Sequence, residues 1–429
     1  MKCVNKRNGL LLSLLVFGAA AVSCLHAQGE SAVPFILITS SVDGNGMAGI
    51  SATVPSEVAT APIANPGQLG LFSLRNLFSG TLYPSKTDWL PEVNVKGLTY
   101  NTFGVSAGYN LQNLVSLPFP VSIGLGYSRI RLDLGRFTVT GPSGPTPIGT
   151  FDSYETSDQF TTGIGLEYIV QVGIGFTTKR IVSSLTPAGT EVGQGTGEAR
   201  VWASDFGVLV KAPLVDVASA LAGGRPELLS GLEPMADLSF GYVDGNEGKE
   251  VRYVDVAMAD PLPRKALLGV GLEVGAALRV RDSRWRLVSF TLAREAEDLL
   301  IVRQSDGSFT YQTGMGDLSF IENVIEGKLN TKATVRKGWQ VQAGEFLFVR
   351  EGRVSMPGLR YSTRGFGIHL NGLFKLLDIA LPETQEGWIR YVADHFDLQL
   401  STSSYGDTTS PIDGTTFTQL SVVVRQVPW

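Results

Sequence analysis

Large apolar residues alternate with small ones in short segments spread over most of this chain. Val121, Ile123, Leu125 and Tyr127 interleave with Ser122, Gly124, Gly126 and Ser128. Ile164, Leu166 and Tyr168 interleave with Gly163, Gly165 and Glu167, and Leu268, Val270, Leu272 and Val274 with Gly269, Gly271, Glu273 and Gly275. A period of two sends the two sets to opposite faces of a strand. A buried sandwich core would fill its inner face with bulk, whereas here the second face is small or charged. That is the pattern of a transmembrane antiparallel β-barrel, apolar toward lipid and polar toward the lumen. Ile123, Leu125, Ile164, Leu166, Val270, Leu272, Ile368 and Leu370 are therefore expected on the outer surface, and Gly124, Gly165, Glu273 and His369 inside.

The periodic segments fall at 74–84, 97–110, 119–133, 158–168, 169–181, 199–211, 234–243, 265–280, 284–303, 331–342, 345–354, 358–372, 388–401 and 416–429. They predict about fourteen strands, each of a length that spans a bilayer when tilted. If the first runs outward, the outer connections are mostly long (135–157, 182–198, 244–264, 304–330 and 402–415). The inner ones include tight turns at Asp282-Ser283 and Ala343-Gly344. Long outside and short inside is the asymmetry of bacterial barrels. Two inner connections, 212–233 and 373–387, are long enough for short helices. Residues 28–72 lack the alternation and are rich in turn formers, from Asp43-Gly44-Asn45-Gly46 to Asn65-Pro66-Gly67. They read as a hatch that enters the barrel, with the barrel itself at 73–429.

Lys2, Lys6 and Arg7 precede an apolar run from Leu10 to Val22, with Ala27 as a cleavage point. Residues 1–27 thus read as a signal peptide, and the mature protein as one of the Gram-negative outer membrane. Ala21-Val22-Ser23-Cys24 is a weaker, lipoprotein-type variant of that site. Cys3 and Cys24 both lie in the leader, which leaves no disulfide framework behind it. The formal charge of -5 becomes more negative once the leader is removed, which excludes nucleic acid as a partner.

Several motifs resemble the FadL-like outer-membrane proteins, and within them the PorV/PorQ-type barrels. They are Gly46-Met47-Ala48-Gly49 followed by Asn65-Pro66-Gly67-Gln68-Leu69-Gly70, Tyr83-Pro84-Ser85 followed by Gly97-Leu98-Thr99-Tyr100, Asp205-Phe206-Gly207-Val208-Leu209, and Ala259-Asp260-Pro261-Leu262-Pro263-Arg264 followed by Leu268-Gly269-Val270. The first departs from the family's pattern at Ala48 and Gly67. The resemblance implies a fourteen-stranded barrel plugged by an N-terminal hatch, and passive passage of hydrophobic small molecules. For PorV-type members it implies instead a binding or scaffold role among the proteins of type IX secretion. Outer-membrane lipid is a partner in either case.

Catalysis has little support. Gly104-Val105-Ser106-Ala107-Gly108 matches a nucleophile elbow in sequence, but lies inside a strand pattern instead of at a strand-to-helix turn. Glycine pairs such as Gly124/Gly126 and Gly173/Gly175 are in phase with strand alternation, so they read as room for something packed on the inner wall. The same alternation points Glu167, Glu273, His369, His395, Asp397 and Arg425 into the lumen. His369, His395 and Asp397 could suggest a hydrolase or metal site, but no serine or third ligand stands at a fitting spacing. A hydrogen-bonded polar wall is the expected role, with no enzyme activity, metal or cofactor. A hydrophobic ligand is expected in an apolar pocket near Asn65, Pro66 and Gly67, beside a lapse in strand hydrogen bonding. The chain closes on Trp429, an aromatic end resembling the recognition signal of outer-membrane barrels.

Overall fold

Fourteen antiparallel strands pair in chain order, and the last returns to the first. Phe78 pairs with Val424 on one side and with Ala107 on the other, which closes the sheet into a barrel. The structure is a computed structural model. It describes residues 31–140, 147–185, 197–224, 226–229, 231–253, 259–280, 283–306, 308–381, 387–406 and 411–426. The expected signal peptide, both cysteines and Trp429 lie outside the described residues. The strands are β1 (Phe78–Leu82), β2 (Leu98–Asn110), β3 (Val121–Thr140), β4 (Pro147–Glu167), β5 (Gln171–Ser184), β6 (Glu198–Pro213), β7 (Leu232–Gly248), β8 (Lys265–Val280), β9 (Ser283–Leu299), β10 (Thr334–Ala343), β11 (Leu347–Met356), β12 (Leu359–His369), β13 (Phe396–Gly406) and β14 (Thr416–Val424). A two-residue strand, Thr87–Asp88, extends the sheet beside β2.

An even number of strands puts both ends of the chain at one rim, here the terminal rim; the opposite one is the distal rim. Both long terminal-rim connections carry helices: α3 (Leu214–Ala222), then α4 (Leu370–Ala380) and α5 (Gly387–His395). The remaining helices, α1 (Val42–Gly46) and α2 (Gly67–Ser73), belong to the N-terminal segment. No helix among the described residues is long and apolar enough to cross a membrane.

Alternation does what the pattern predicts on most of the wall. Ile123, Leu125, Ile164 and Leu272 are exposed on the outside, Leu125 to 67% of its surface. Gly124 and Gly165 face inward against the N-terminal segment. Leu166, Val270 and Ile368 are only half exposed, and Leu370 begins α4 instead of ending a strand. The reason at Val270 is a covering loop. Residues 318–333 fold back over the outer face of β7–β9, where Leu318, Phe320 and Val324 pack on Leu268, Val270 and Phe240. A second difference is the β3–β4 hairpin. Much of 135–157, read as loop from its Gly, Pro and Ser content, continues the ladder through Arg136↔Asp152 and Phe137↔Phe151.

Candidate functional site

The N-terminal segment lies inside the barrel, and the inward glycines are the reason it fits. A Cβ at Gly241 would stand 2.5 Å from the Ala52 carbonyl, one at Gly338 2.7 Å from that of Met47, and one at Gly163 2.8 Å from the Gly70 nitrogen. Gly173, Gly175 and Gly207 meet Gly67, Pro66 and Asn65 still more closely. No side chain fits in such gaps, so backbone lies on backbone. Wall side chains complete the attachment. The Glu295 carboxylate accepts from the Ala52 and Thr53 amides, both at 2.9 Å. Thr363 Oγ1 accepts from the Ala48 amide at 2.8 Å and donates to the Gly46 carbonyl at 3.1 Å.

The two halves of the lumen differ. Toward the distal rim, Phe35, Ile36 and Val42 of the segment pack with inward residues including Tyr100, Ile130, Ile181 and Phe417 in one apolar cluster. Aromatic rings fill it; Tyr100 and Phe417 meet edge to face at 6.1 Å between centroids. Toward the terminal rim lies a cavity of about 360 Å³ with charged walls. Arg350, almost wholly buried, holds Asp43 at 2.8 Å. Glu57 sits between Arg75 at 2.5 Å and Arg425 at 2.7 Å. Burial works to raise the Glu57 carboxyl, but Arg425 and Arg75 overrule it and hold it at about 2. Burial likewise acts to lower Arg425, and Glu57 and Asp397 reverse that and raise it.

Most of the sequence-derived lumen candidates meet here. Glu273 lines the cavity and pairs with Arg286 at 2.7 Å. Asp397 accepts from Gln399 at 2.8 Å and from the Asn371 amide at 3.1 Å, with Arg425 at 3.4 Å. His369 points inward, its Nδ1 3.6 Å from Asp397 and its ring 4.0 Å from that of Phe348. Glu167 also points inward, at the terminal end of β4, where Gln171 donates to it at 2.9 Å. His395 does not join them. It ends α5, its Nδ1 2.9 Å from the Tyr391 carbonyl and its ring stacked on Tyr391, because residues 387–395 form a helix where the alternation predicts a strand. Among the described residues no three His, Cys, Asp or Glu side chains gather as a metal-binding group.

Asn65, Pro66 and Gly67 are anchors, not pocket walls. Asn65 donates to the Ala52 carbonyl at 2.8 Å and to Val208 on β6 at 3.0 Å, while its Oδ1 accepts from the Gly67 amide at 2.8 Å. They lie directly against Gly173, Gly175 and Gly207 of the wall. The strand pairing does not lapse there: β5 and β6 pair from Gln171↔Lys211 to Ser184↔Glu198 without a register shift. The bulge between β6 and β7 at Asp205 is filled by a buried pair, with Lys179 at 2.6 Å and the Asn246 amide at 2.7 Å. Sequence reasoning missed Glu57, Arg75, Glu295 and Arg350. Alternation in β9 and β11 marks Glu295 and Arg350 as inward; nothing in the irregular stretch around Glu57 marks it, and Arg75, within the segment expected as the first strand, precedes β1, which begins at Phe78.

The toluene transporter TodX of Pseudomonas putida shares 11% identity over 90% of this chain and 96% of its own, with a TM-score of 0.34. A FadL homologue of Pseudomonas aeruginosa shares 8% identity over 90% of this chain and 96% of its own, at 0.31. The β domain of the Bordetella autotransporter BrkA scores 0.32, at 11% identity over 82% of this chain and 98% of its own. Transporter and autotransporter barrels match equally well, so these likenesses carry no argument about function. No protein-family model and no curated protein matches the chain.

Proposed function

We propose that this chain is a FadL-like barrel of the outer membrane that passes a hydrophobic small molecule, with its N-terminal segment as the gate. The terminal rim then faces the periplasm and the apolar outer wall faces lipid. One observation carries the reading: residues 31–77 lie across the lumen, backbone against wall glycines, inside a closed barrel whose outer wall carries a band of exposed apolar residues. The charges that line the terminal-rim cavity point inward, away from lipid, where a cation at mid-bilayer would cost about 2–4 kcal/mol. In the state described, the distal apolar cluster closes the lumen, so passage requires the segment to shift.

The unbroken pairing beside the hatch, together with the charged cavity, favours a second reading: a binding or scaffold barrel of PorV type that serves secretion without conducting anything. A reversible lock separates the two. Ser106 Oγ lies 3.4 Å from the Ala59 carbonyl, so these positions are neighbours, and an Ala59→Cys/Ser106→Cys pair, its bridge verified by mass spectrometry, would tie the segment to β2 when oxidised. Proteoliposomes would be assayed for uptake of a fluorescent fatty acid. The gate reading expects uptake that oxidation stops and reduction restores. If reduced protein takes up no more than empty vesicles do, the passage reading fails and the scaffold reading stands.

A further inference from the structure

We propose that the outer wall of β9–β12 carries a site for the phosphate of an anionic membrane lipid. Strand register brings Arg294, Lys337 and Arg353 into one row on three adjacent strands, directly opposite one another. The next row toward the terminal rim runs Leu292, Trp339, Glu351, Arg364 and Ser404. Directly opposed residues share a face. That face is the outside, since Glu295, Arg350 and Thr363 on the neighbouring positions bond the N-terminal segment. These two rows therefore set four cations against one carboxylate, Glu351, on the lipid side of the wall. With strands about 5 Å apart, the cations lie within reach of a single phosphate group.

Three features make this more than surface charge. Lys337, Arg353 and Arg364 are exposed, and none has an ion-pair partner among the described residues. Other cations on the outer wall are neutralised in place, such as Arg129 by Asp158 at 2.6 Å and Arg131 by Asp133 at 2.7 Å. The charged rows also continue an apolar surface. Toward the terminal rim the same columns read Phe290, Val341, Val349 and Phe366, then Val288, Ala343, Leu347 and Ile368. Beside the patch, the turn at Phe320–Ile325 leaves Ile321 and Ile325 exposed, and its Ile325 carbonyl accepts from Arg294. Acyl chains would lie on the apolar columns and on Ile321 and Ile325. The phosphate would meet the arginines and lysine through charge-assisted hydrogen bonds. A soluble acidic partner would have no use for that adjoining apolar wall.

The site rests on the membrane placement proposed above, so insertion is measured separately, by flotation with phosphatidylethanolamine vesicles. The probe for the site is lipid A carrying both phosphates, titrated onto detergent-solubilised full-length protein and read by native mass spectrometry. One lipid A should remain bound where dephosphorylated lipid A and phosphatidylethanolamine do not. Lys337→Gln/Arg353→Gln/Arg364→Gln should weaken it about fivefold per cation, roughly a hundredfold in all. Arg136→Gln/Arg200→Gln/Arg252→Gln, which removes ion-paired cations elsewhere, should leave it unchanged. Equal retention of dephosphorylated lipid A, an unaffected wall variant, or displacement by millimolar inorganic phosphate would each overturn the lipid site while flotation remained intact. Failed flotation would overturn the membrane placement, and the site with it.

Discussion

Glycine at Gly163, Gly241 and Gly338 should be required by the plug and not by the barrel. An alanine Cβ at these sites would stand 2.8, 2.5 and 2.7 Å from main-chain atoms of residues 70, 52 and 47. Ordinary contact begins at 3.4 Å, so each methyl intrudes by about 0.6–0.9 Å on an atom that cannot rotate away. Overpacking of this kind costs about 1–3 kcal/mol per site. The three positions touch well-separated stretches of the segment, so the costs should nearly add. Inter-strand hydrogen bonds are untouched, so the segment should yield before the wall does. The triple variant should remain a heat-modifiable barrel on gels while protease cuts within residues 31–77, with raised conductance in planar bilayers. Gly80→Ala is the control, since nothing lies within 4 Å of its added methyl. A triple variant as protected and as closed as Gly80→Ala would mean that these glycines do not seat the segment.

Two further variants probe the attachment. Glu295→Leu leaves the buried Ala52 and Thr53 amides without their acceptor, at about 1–3 kcal/mol each, and should speed proteolysis of the segment with the barrel intact. Glu295→Gln, which keeps an acceptor oxygen, should restore part of the protection. Glu57 makes the plug acid-sensitive. Its folded pKa, about 2, lies below the unfolded carboxylate range, so its contribution is complete above about pH 4.5 and is lost as pH falls through about 2. That contribution is on the order of 2–3 kcal/mol. Proteolysis by an acid protease should rise across that window in the wild type. Glu57→Gln should be loosened already at pH 5 and show a flat profile; an equally steep profile would remove Glu57 from the account.

Much of the barrel was legible because alternation is local: one residue in two faces outward whatever the rest of the chain does. The inward glycines were legible as a need for close approach, and the structure puts the backbone of residues 46–70 against them. What failed depended on partners far away in sequence. Leu268 and Val270 have the same pattern as exposed Leu272, and only the loop at 318–333 distinguishes them. Residues 388–395 carry enough apolar residues to pass for a strand, yet α5 packs against α4 across the rim. The charged cavity was half visible. Glu273, Asp397 and Arg425 follow from alternation, whereas Glu57 arrives on an irregular segment whose path no periodicity encodes, and Arg75 on residues read as strand that precede β1.

Single-channel recording of the intact chain beside a variant lacking residues 31–71 asks whether residues 31–77 close a membrane-spanning lumen. Near-silent bilayers are expected for the intact protein and large, stable conductance steps for the deletion, with both proteins floating with vesicles. An intact protein that already conducts as widely as the deletion, or a well-inserted deletion that stays silent, would contradict that closure.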